Sequence, residues 1–166
     1  MDTKNLDIYG SPPIPWTRAR EQFEHREFHG GRGTYWLSTT NPDGHPHVAG
    51  VLGIWIGDSL YFPSGTRTRK SRNLAANPHC AIAASLPDLD VAIEGTATRV
   101  TDPAAMETIA AAFERHGWPV TVSGDILTAP WGAPSAPPWY LYAVTRATAV
   151  GVATAGTPGA TRWRFG

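Results

Sequence analysis

Two periodicities divide the chain. Between Trp16 and Phe28 the apolar residues Trp16, Ala19 and Phe23 fall near i, i+3 and i+7, an apolar stripe on an otherwise charged segment. A helix is expected there, beginning at Trp16 or Thr17, because Pro12, Pro13 and Pro15 exclude an earlier start. His29-Gly30-Gly31-Arg32-Gly33 then stops it. From Thr34 the period shortens to two. Thr34–Thr39 reads as a strand, Asn41-Pro42-Asp43-Gly44 as a turn, and Pro46–Ile56 as the hairpin partner. Gly57-Asp58 turns the chain into a further strand over Ser59–Phe62, which completes a meander. A Ser-Gly-Thr turn and a short helix follow, up to Asn77-Pro78. His79–Leu86 and Val91–Val100 then form a second hairpin around Pro87-Asp88.

Thr101-Asp102-Pro103 has the chemistry of a helix start, with a carboxylate to cap orphan N–H groups and a proline at the first helical position. Met106, Ile109, Ala110 and Phe113 supply its apolar face and Gly117 its stop. Trp118–Pro138 carries five prolines and reads as a long loop. Trp139–Thr154 returns to period two, with Tyr140, Tyr142 and Val144 on one side, ahead of a short tail. The pattern predicts a mainly β fold with flanking helices, a six-stranded antiparallel barrel in one domain over 1–166. Its parts are an arm and helix (1–33), a barrel core (34–100), a helix (102–117), a loop (118–138) and a final strand with tail (139–166).

Composition narrows the function. With 42% apolar and 17% charged residues the chain can build a core. Its 14 basic and 14 acidic residues balance, so no global field draws it to nucleic acid or to an anionic membrane. A single cysteine, Cys80, leaves no internal disulfide. MDTKNLDIYG lacks the apolar run of a signal peptide, and no apolar run is long enough to span a bilayer, so a cytoplasmic location is expected.

Against this neutral background one stretch stands out. Arg67, Arg69, Lys70 and Arg72 place four of the 14 basic residues within six positions, at the start of the short helix. Cations there face the positive end of the helix dipole, an arrangement that a bound anion would relieve. The N–H groups of that helix start would bind the same anion. Spacing alone equally fits a solvated basic face.

Other candidates carry less. The 29–33 glycine run lacks the Lys-Ser/Thr pair of a P-loop and precedes a strand. His45 and His47 lie on one strand face as H-x-H, without a cysteine or carboxylate at ligand spacing, and turn polarity accounts for them, so no metal is expected. Cys80 and His79 are strand neighbours and point to opposite faces, so Cys80 reads as a small core residue. No G-x-S-x-G or S-x-x-K context for a nucleophile exists. No catalytic residue is assigned.

Five segments, in order, are Asn-Pro-Asp-Gly-His-Pro-His (41–47), Leu-Tyr-Phe (60–62), Thr-Arg-Lys (68–70), Asn-Leu-Ala-Ala-Asn-Pro (73–78) and Glu-Gly-Thr-Ala (94–97). Their order and spacing resemble the split β-barrel flavoproteins related to pyridoxamine 5'-phosphate oxidase, which include deazaflavin F420-dependent reductases of actinobacteria. The resemblance covers most of Thr34–Val100, and the closing Arg-Trp-Arg-Phe is similar to tails of actinobacterial members. It implies a homodimeric split barrel with FMN, or alternatively F420, in a groove between subunits. By motif, Thr68, Arg69 and Lys70 would contact the cofactor phosphate, with Ser64 or Thr66 from the turn. Backbone groups of Gly50, Val51 and Leu52 would face the ring edge. Arg72 and Asn73 are expected to hold the helix to its neighbours.

Two departures bear on the chemistry. Ala49 stands where oxidase members carry an arginine on the second strand, and the oxidase's C-terminal substrate-gripping motif is reduced to a loose echo at Arg162 and Arg164. A vitamin B6 oxidase is therefore not the expected activity; F420 would use Arg67, Lys70 and Arg72 equally well. The resemblance implies an oxidoreductase transferring a hydride between FMN or F420 and a small electrophilic substrate. The alternative is a non-catalytic flavin, haem or metabolite-binding protein on the same groove.

Overall fold

The computed structural model describes residues 1–26, 34–128 and 138–166. The arm expected to be irregular contains a strand, β1 (Asp2–Asn5). Helix α1 (Trp16–Glu24) follows and buries Trp16, Ala19 and Phe23, the stripe marked by the periodicity. It stops at Glu24, short of Phe28; residues 27–33, with the glycine run, lie outside the described residues. Strands β2 (Thr34–Thr40) and β3 (Pro46–Leu52) form the expected hairpin. The strand foreseen to continue to Ile56 breaks at Gly53, and its remainder, β4 (Ile54–Ile56), pairs with β5 (Ser59–Gly65). Close approach explains the break: a Cβ on Gly53 would lie 3.0 Å from the Tyr61 carbonyl oxygen.

Helix α2 (Arg69–Ala76) leads to the hairpin of β6 (His79–Ser85) and β7 (Leu89–Arg99). Helix α3 (Pro103–Arg115) is capped as foreseen, the Asp102 carboxylate accepting the Ala105 N–H at 2.8 Å. Part of the expected loop 118–138 is a small hairpin, β8 (Thr121–Ser123) with β9 (Ile126–Thr128), turning at Gly124 with φ of 61°. Three-residue strands are too short for a readable alternation; residues 129–137 lie outside the described residues. The chain ends with β10 (Trp139–Ala153) and β11 (Ala160–Arg164), and β1 adds to β11.

The six long strands foreseen are present, and five short ones bring the described sheet to eleven. Every pairing is antiparallel. The main ladder runs β1-β11-β10-β7-β6-β2-β3, with β5 and β4 branching from β10. Inner faces from β2, β3, β5, β6, β7 and β10 meet in one core that includes Tyr35, Leu37, Val51, Phe62, Ile82, Ile93 and Val144, so the sheet is curled around it. Among the described residues no ladder joins β3 to β4 or β5, so the curl is not closed by hydrogen bonds. A second core, with Ile54, Met106, Phe113, Leu127 and Leu141, packs α3 on the other face of β10 and β5.

β10 organises the sheet. Its first half, Trp139–Thr145, pairs with β5, and Thr148–Val152 pairs with β11, while β7 lines nearly its whole other edge. The change of partner coincides with a register shift between Arg146 and Thr148. Opposite it, a Cβ on Gly95 would lie 2.1 Å from the Thr145 carbonyl oxygen. Only a glycine fits. Arg146, leaving the shift with its side chain 12% exposed, pairs with Asp58 at 2.6 Å and lies over the Phe165 ring at 4.3 Å.

At the far end Arg18 of α1 reaches Asp88 at 2.9 Å and the Ala155 and Thr157 carbonyls. The Arg18 guanidinium holds the Asp88 carboxyl below the usual carboxylate range. That tie stabilises the fold at neutral pH and is lost as pH falls through the lowered value. No described helix is long and apolar enough to cross a membrane.

Gly95→Ala is expected to destabilise the protein by about 3 kcal/mol, the upper part of the range for overpacking, measured as a lowered denaturant midpoint at unchanged m-value.

Candidate functional site

The Ser-Gly-Thr turn is built as a hydroxyl network. Thr68 is the N-cap of α2, its Oγ accepting the Ser71 N–H at 3.3 Å and donating to the Gly65 carbonyl at 2.9 Å. Ser71 Oγ bonds Ser64 Oγ at 2.8 Å and the Gly65 carbonyl at 2.9 Å, and Ser64 Oγ lies 3.1 Å from Thr68 Oγ. Ser64 and Ser71 are buried. The hydroxyl protons of this trio serve the turn itself. Tyr142 lies beside this network, buried and stacked on Phe62 at 5.2 Å. Burial pushes the Tyr142 phenol up, and the Ser71 hydrogen bond partly opposes that.

Asn73 fixes the rest of the helix. Buried on the inner side of α2, it donates to Thr39 Oγ and Asn41 Oδ1, both at 3.0 Å, and so ties α2 to the turn between β2 and β3. Arg72 donates to the Arg67 carbonyl at 2.8 Å. Asn73 thus holds α2 to its neighbours as expected, whereas the Arg72 bond stays within the turn that leads into its own helix.

The basic residues stand on this frame with nothing to neutralise them. Arg67, Arg69, Lys70 and Arg72 have no carboxylate partner among the described residues, and α2 has no acidic residue in its first turn. The N–H groups of Arg69 and Lys70 have no acceptor there either. Arg67 and Arg69 are exposed and Thr66 and Lys70 half-buried. Thr66 is held through its N–H, which donates to the Pro138 carbonyl at 3.1 Å. Burial lowers the Lys70 pKa. The native state must hold that charge partly desolvated, which costs stability below the lowered pKa and is relieved as pH rises past it; a bound anion would remove the cost.

Gly50, Val51 and Leu52 lie on β3, which is bonded only to β2 among the described residues. Alternate residues of an antiparallel strand direct their N–H and C=O to opposite edges, so this stretch offers backbone groups at an open edge. Gly50 is exposed opposite Trp36, Val51 is in the core, and Leu52 is half-buried. Ala49 falls across from Leu37. β3 runs beside β5 without a ladder, and β5 in turn leads into α2. Sequence reading missed Ser71 and Tyr142. Ser71 has a local signal, a small hydroxyl at the third helical position after a Thr cap; Tyr142 has none beyond strand alternation.

Elsewhere, Cys80 is in the core and its thiol is pushed up to about 11 by burial, while His79 is exposed. His45 sits 3.2 Å from Asp43, and among the described residues no group of three His, Cys, Asp or Glu is placed to hold a metal.

The curled antiparallel sheet has counterparts among solved structures. A structure named F420 reductase is 25% identical, with 78% of this chain and 94% of that one covered and a TM-score of 0.55. A pyridoxamine 5'-phosphate oxidase-related, FMN-binding protein from Nostoc punctiforme is 17% identical, covering 92% of this chain and 97% of its own, with a TM-score of 0.60. General Stress Protein 26 from Bacillus anthracis is 18% identical, covering 81% and 91%, with a TM-score of 0.53. At 17% and 18% these likenesses show the fold alone. The family model described as pyridoxamine 5'-phosphate oxidase matches residues 22–135, and the chain belongs to that family. Comparison with the curated proteins gives no match.

Thr68→Ala is expected to lower stability by about 1 kcal/mol without any ligand, because the cap of α2 is lost, and Thr68→Ser to restore it; equilibrium unfolding measures both.

Proposed function

We propose that this chain is a flavin- or deazaflavin-dependent oxidoreductase, binding FMN or F420 along the seam between β3 and α2 and acting on a small electrophilic substrate. One observation carries the reading: a helix start with four cations that have no carboxylate partner, and with two N–H groups that have no acceptor, among the described residues. That is a donor set suited to the phosphate of such a cofactor. Arg69 supplies forked donors to phosphate oxygens, and Lys70 a compact charge. Thr66, whose hydroxyl makes no bond within the described chain, adds a neutral donor. Ser64 and Thr68 hold the turn in shape, and the open β3 edge at Gly50, Val51 and Leu52 meets the ring. When bound, the cofactor supplies the hydride chemistry, and the protein supplies orientation and electrostatics. Family membership and the 25% identity to an F420 reductase support this class of ligand.

The same reading includes a homodimer. An outward row on the sheet, Trp36, Ala83, Ala92 and Val150 in register, is apolar, and Trp36 is 56% exposed. A patch of this kind on a small protein marks an interface.

Titration of the purified protein with FMN and with F420 separately, followed by absorbance and fluorescence, tests the cofactor; saturable binding of one is expected, and binding of neither overturns the reading. Bound cofactor that no electron donor or electrophile turns over assigns the alternative, a binding protein. Arg69→Ala and Lys70→Ala are each expected to weaken cofactor binding by about 1.5 to 3 kcal/mol for a lost charged hydrogen bond, with the melting temperature of the free protein not lowered. Affinity in the wild type is expected to hold through neutral pH and to fall as pH rises through the lowered Lys70 pKa; the alkaline loss disappears in Lys70→Met.

A further inference from the structure

Spacing leaves His47 to turn polarity, but the register of the sheet sets it on the face that α2 covers. His47 lies directly across from Thr39 in the β2–β3 ladder, so the two side chains share one side of the sheet. Thr39 is buried there, and its Oγ accepts from the Asn73 side chain of α2 at 3.0 Å. Exposure along β3 agrees. His47 and Ala49 are half-buried and Val51 is buried, while Val48 and Gly50 between them are exposed.

The path of α2 brings its first turn to the same strand. The helix starts just after β5 ends, and by Asn73 it has reached β2. β3 lies between these two strands, paired with β2 and running beside β5. Lys70 precedes Asn73 by three residues, so the two share a helix face, and Lys70 is half-buried as well. Next to His47 on the covered face, Ala49 carries only a methyl group.

On this face the imidazole has nothing to bond. The His25 and His116 rings each meet the carbonyl four residues back, and His45 sits against Asp43. The His47 ring has no hydrogen bond, ion pair or ring contact among the described residues. None of β2, β3, β5 and α2 contains an Asp or Glu, and the charges that α2 brings, Arg69, Lys70 and Arg72, are all positive. An imidazole carries an N–H donor in either protonation state. A half-buried donor among unpaired cations is complemented by an anion.

We infer that His47 is a further phosphate-binding residue of the cofactor site, donating from β3 to the phosphate that Arg69 and Lys70 meet from α2. The inference rests on the cofactor reading and adds to it a side chain from the strand that offers its edge to the ring.

FMN compared with riboflavin, the same ring without the phosphate, tests it; F420 compared with its phosphate-free ribityl deazaflavin serves likewise. For the phosphorylated cofactor that the wild type binds, His47→Ala is expected to raise the dissociation constant about tenfold or more, the loss of one hydrogen bond to a charged group. The phosphate-free form is expected to bind the wild type and His47→Ala alike. His47→Gln, which keeps an N–H donor, is expected to recover part of the affinity. As a second measurement, the His47 imidazole resonances, assigned by their absence in His47→Gln, are expected to shift more with the phosphorylated cofactor than with the phosphate-free ring. Equal weakening of the two forms by His47→Ala would assign the imidazole to the ring, and no weakening would return it to turn polarity. Either result overturns the inference and leaves the cofactor reading standing. A wild type that binds neither FMN nor F420 overturns both.

Discussion

Everything in this sheet depends on how closely the β7 backbone passes the β10 backbone at Gly95. With no side chain there, the Thr145 carbonyl settles against β7, and the register shift at Arg146–Thr148 is accommodated. The shift lets one strand serve β5 before it and β11 after it. Ser64 is thereby set opposite Tyr140, and Gly65 opposite Trp139, so the turn that opens α2 is positioned by a contact on the far side of β10. The bonds of Ser71 and Thr68 to the Gly65 carbonyl then carry that placement into the helix. A core interaction with no chemistry of its own thus decides where the cations stand.

Electrostatics separates that cluster from the rest of the molecule. Arg18, Arg99 and Arg146 each find a carboxylate within 3 Å, and the Arg146 side chain is nearly buried as well. These arginines are fastenings between elements. The four cations at α2 sit instead at the end of a helix whose dipole repels them, and burial presses Lys70 toward its neutral form. Several unfavourable terms act on one turn of chain whose backbone is held by a dense hydroxyl network. Such local cost, held in place by the surrounding fold, is what the proposed cofactor phosphate would relieve.

Much of the fold was legible because its signals are local. Asp102-Pro103 identifies the start of α3 through capping chemistry, and Gly57-Asp58 marks a hairpin through its turn preference. Inside-outside alternation identifies β6 and β7, since each buries one face. The unread elements depend on partners distant in sequence. β1 is polar throughout, and it is a strand because β11, more than 150 residues later, offers it an edge. The break at Gly53 follows from how near the chain passes to Tyr61, a crossing absent from any local pattern.

The candidate site divides along the same line. The residue types, the run of cations, the Thr cap and the glycine on a strand edge were determined by the sequence, because charge, capping and backbone freedom belong to single residues and their nearest neighbours. Tertiary structure alone decided that Ser64 and Thr68 spend their hydroxyls on the turn, that Tyr142 is buried beside Ser71, and that β3 runs beside β5, the strand that feeds α2. Those relations arise from the curl of the sheet, which brings together strands that composition and spacing cannot align.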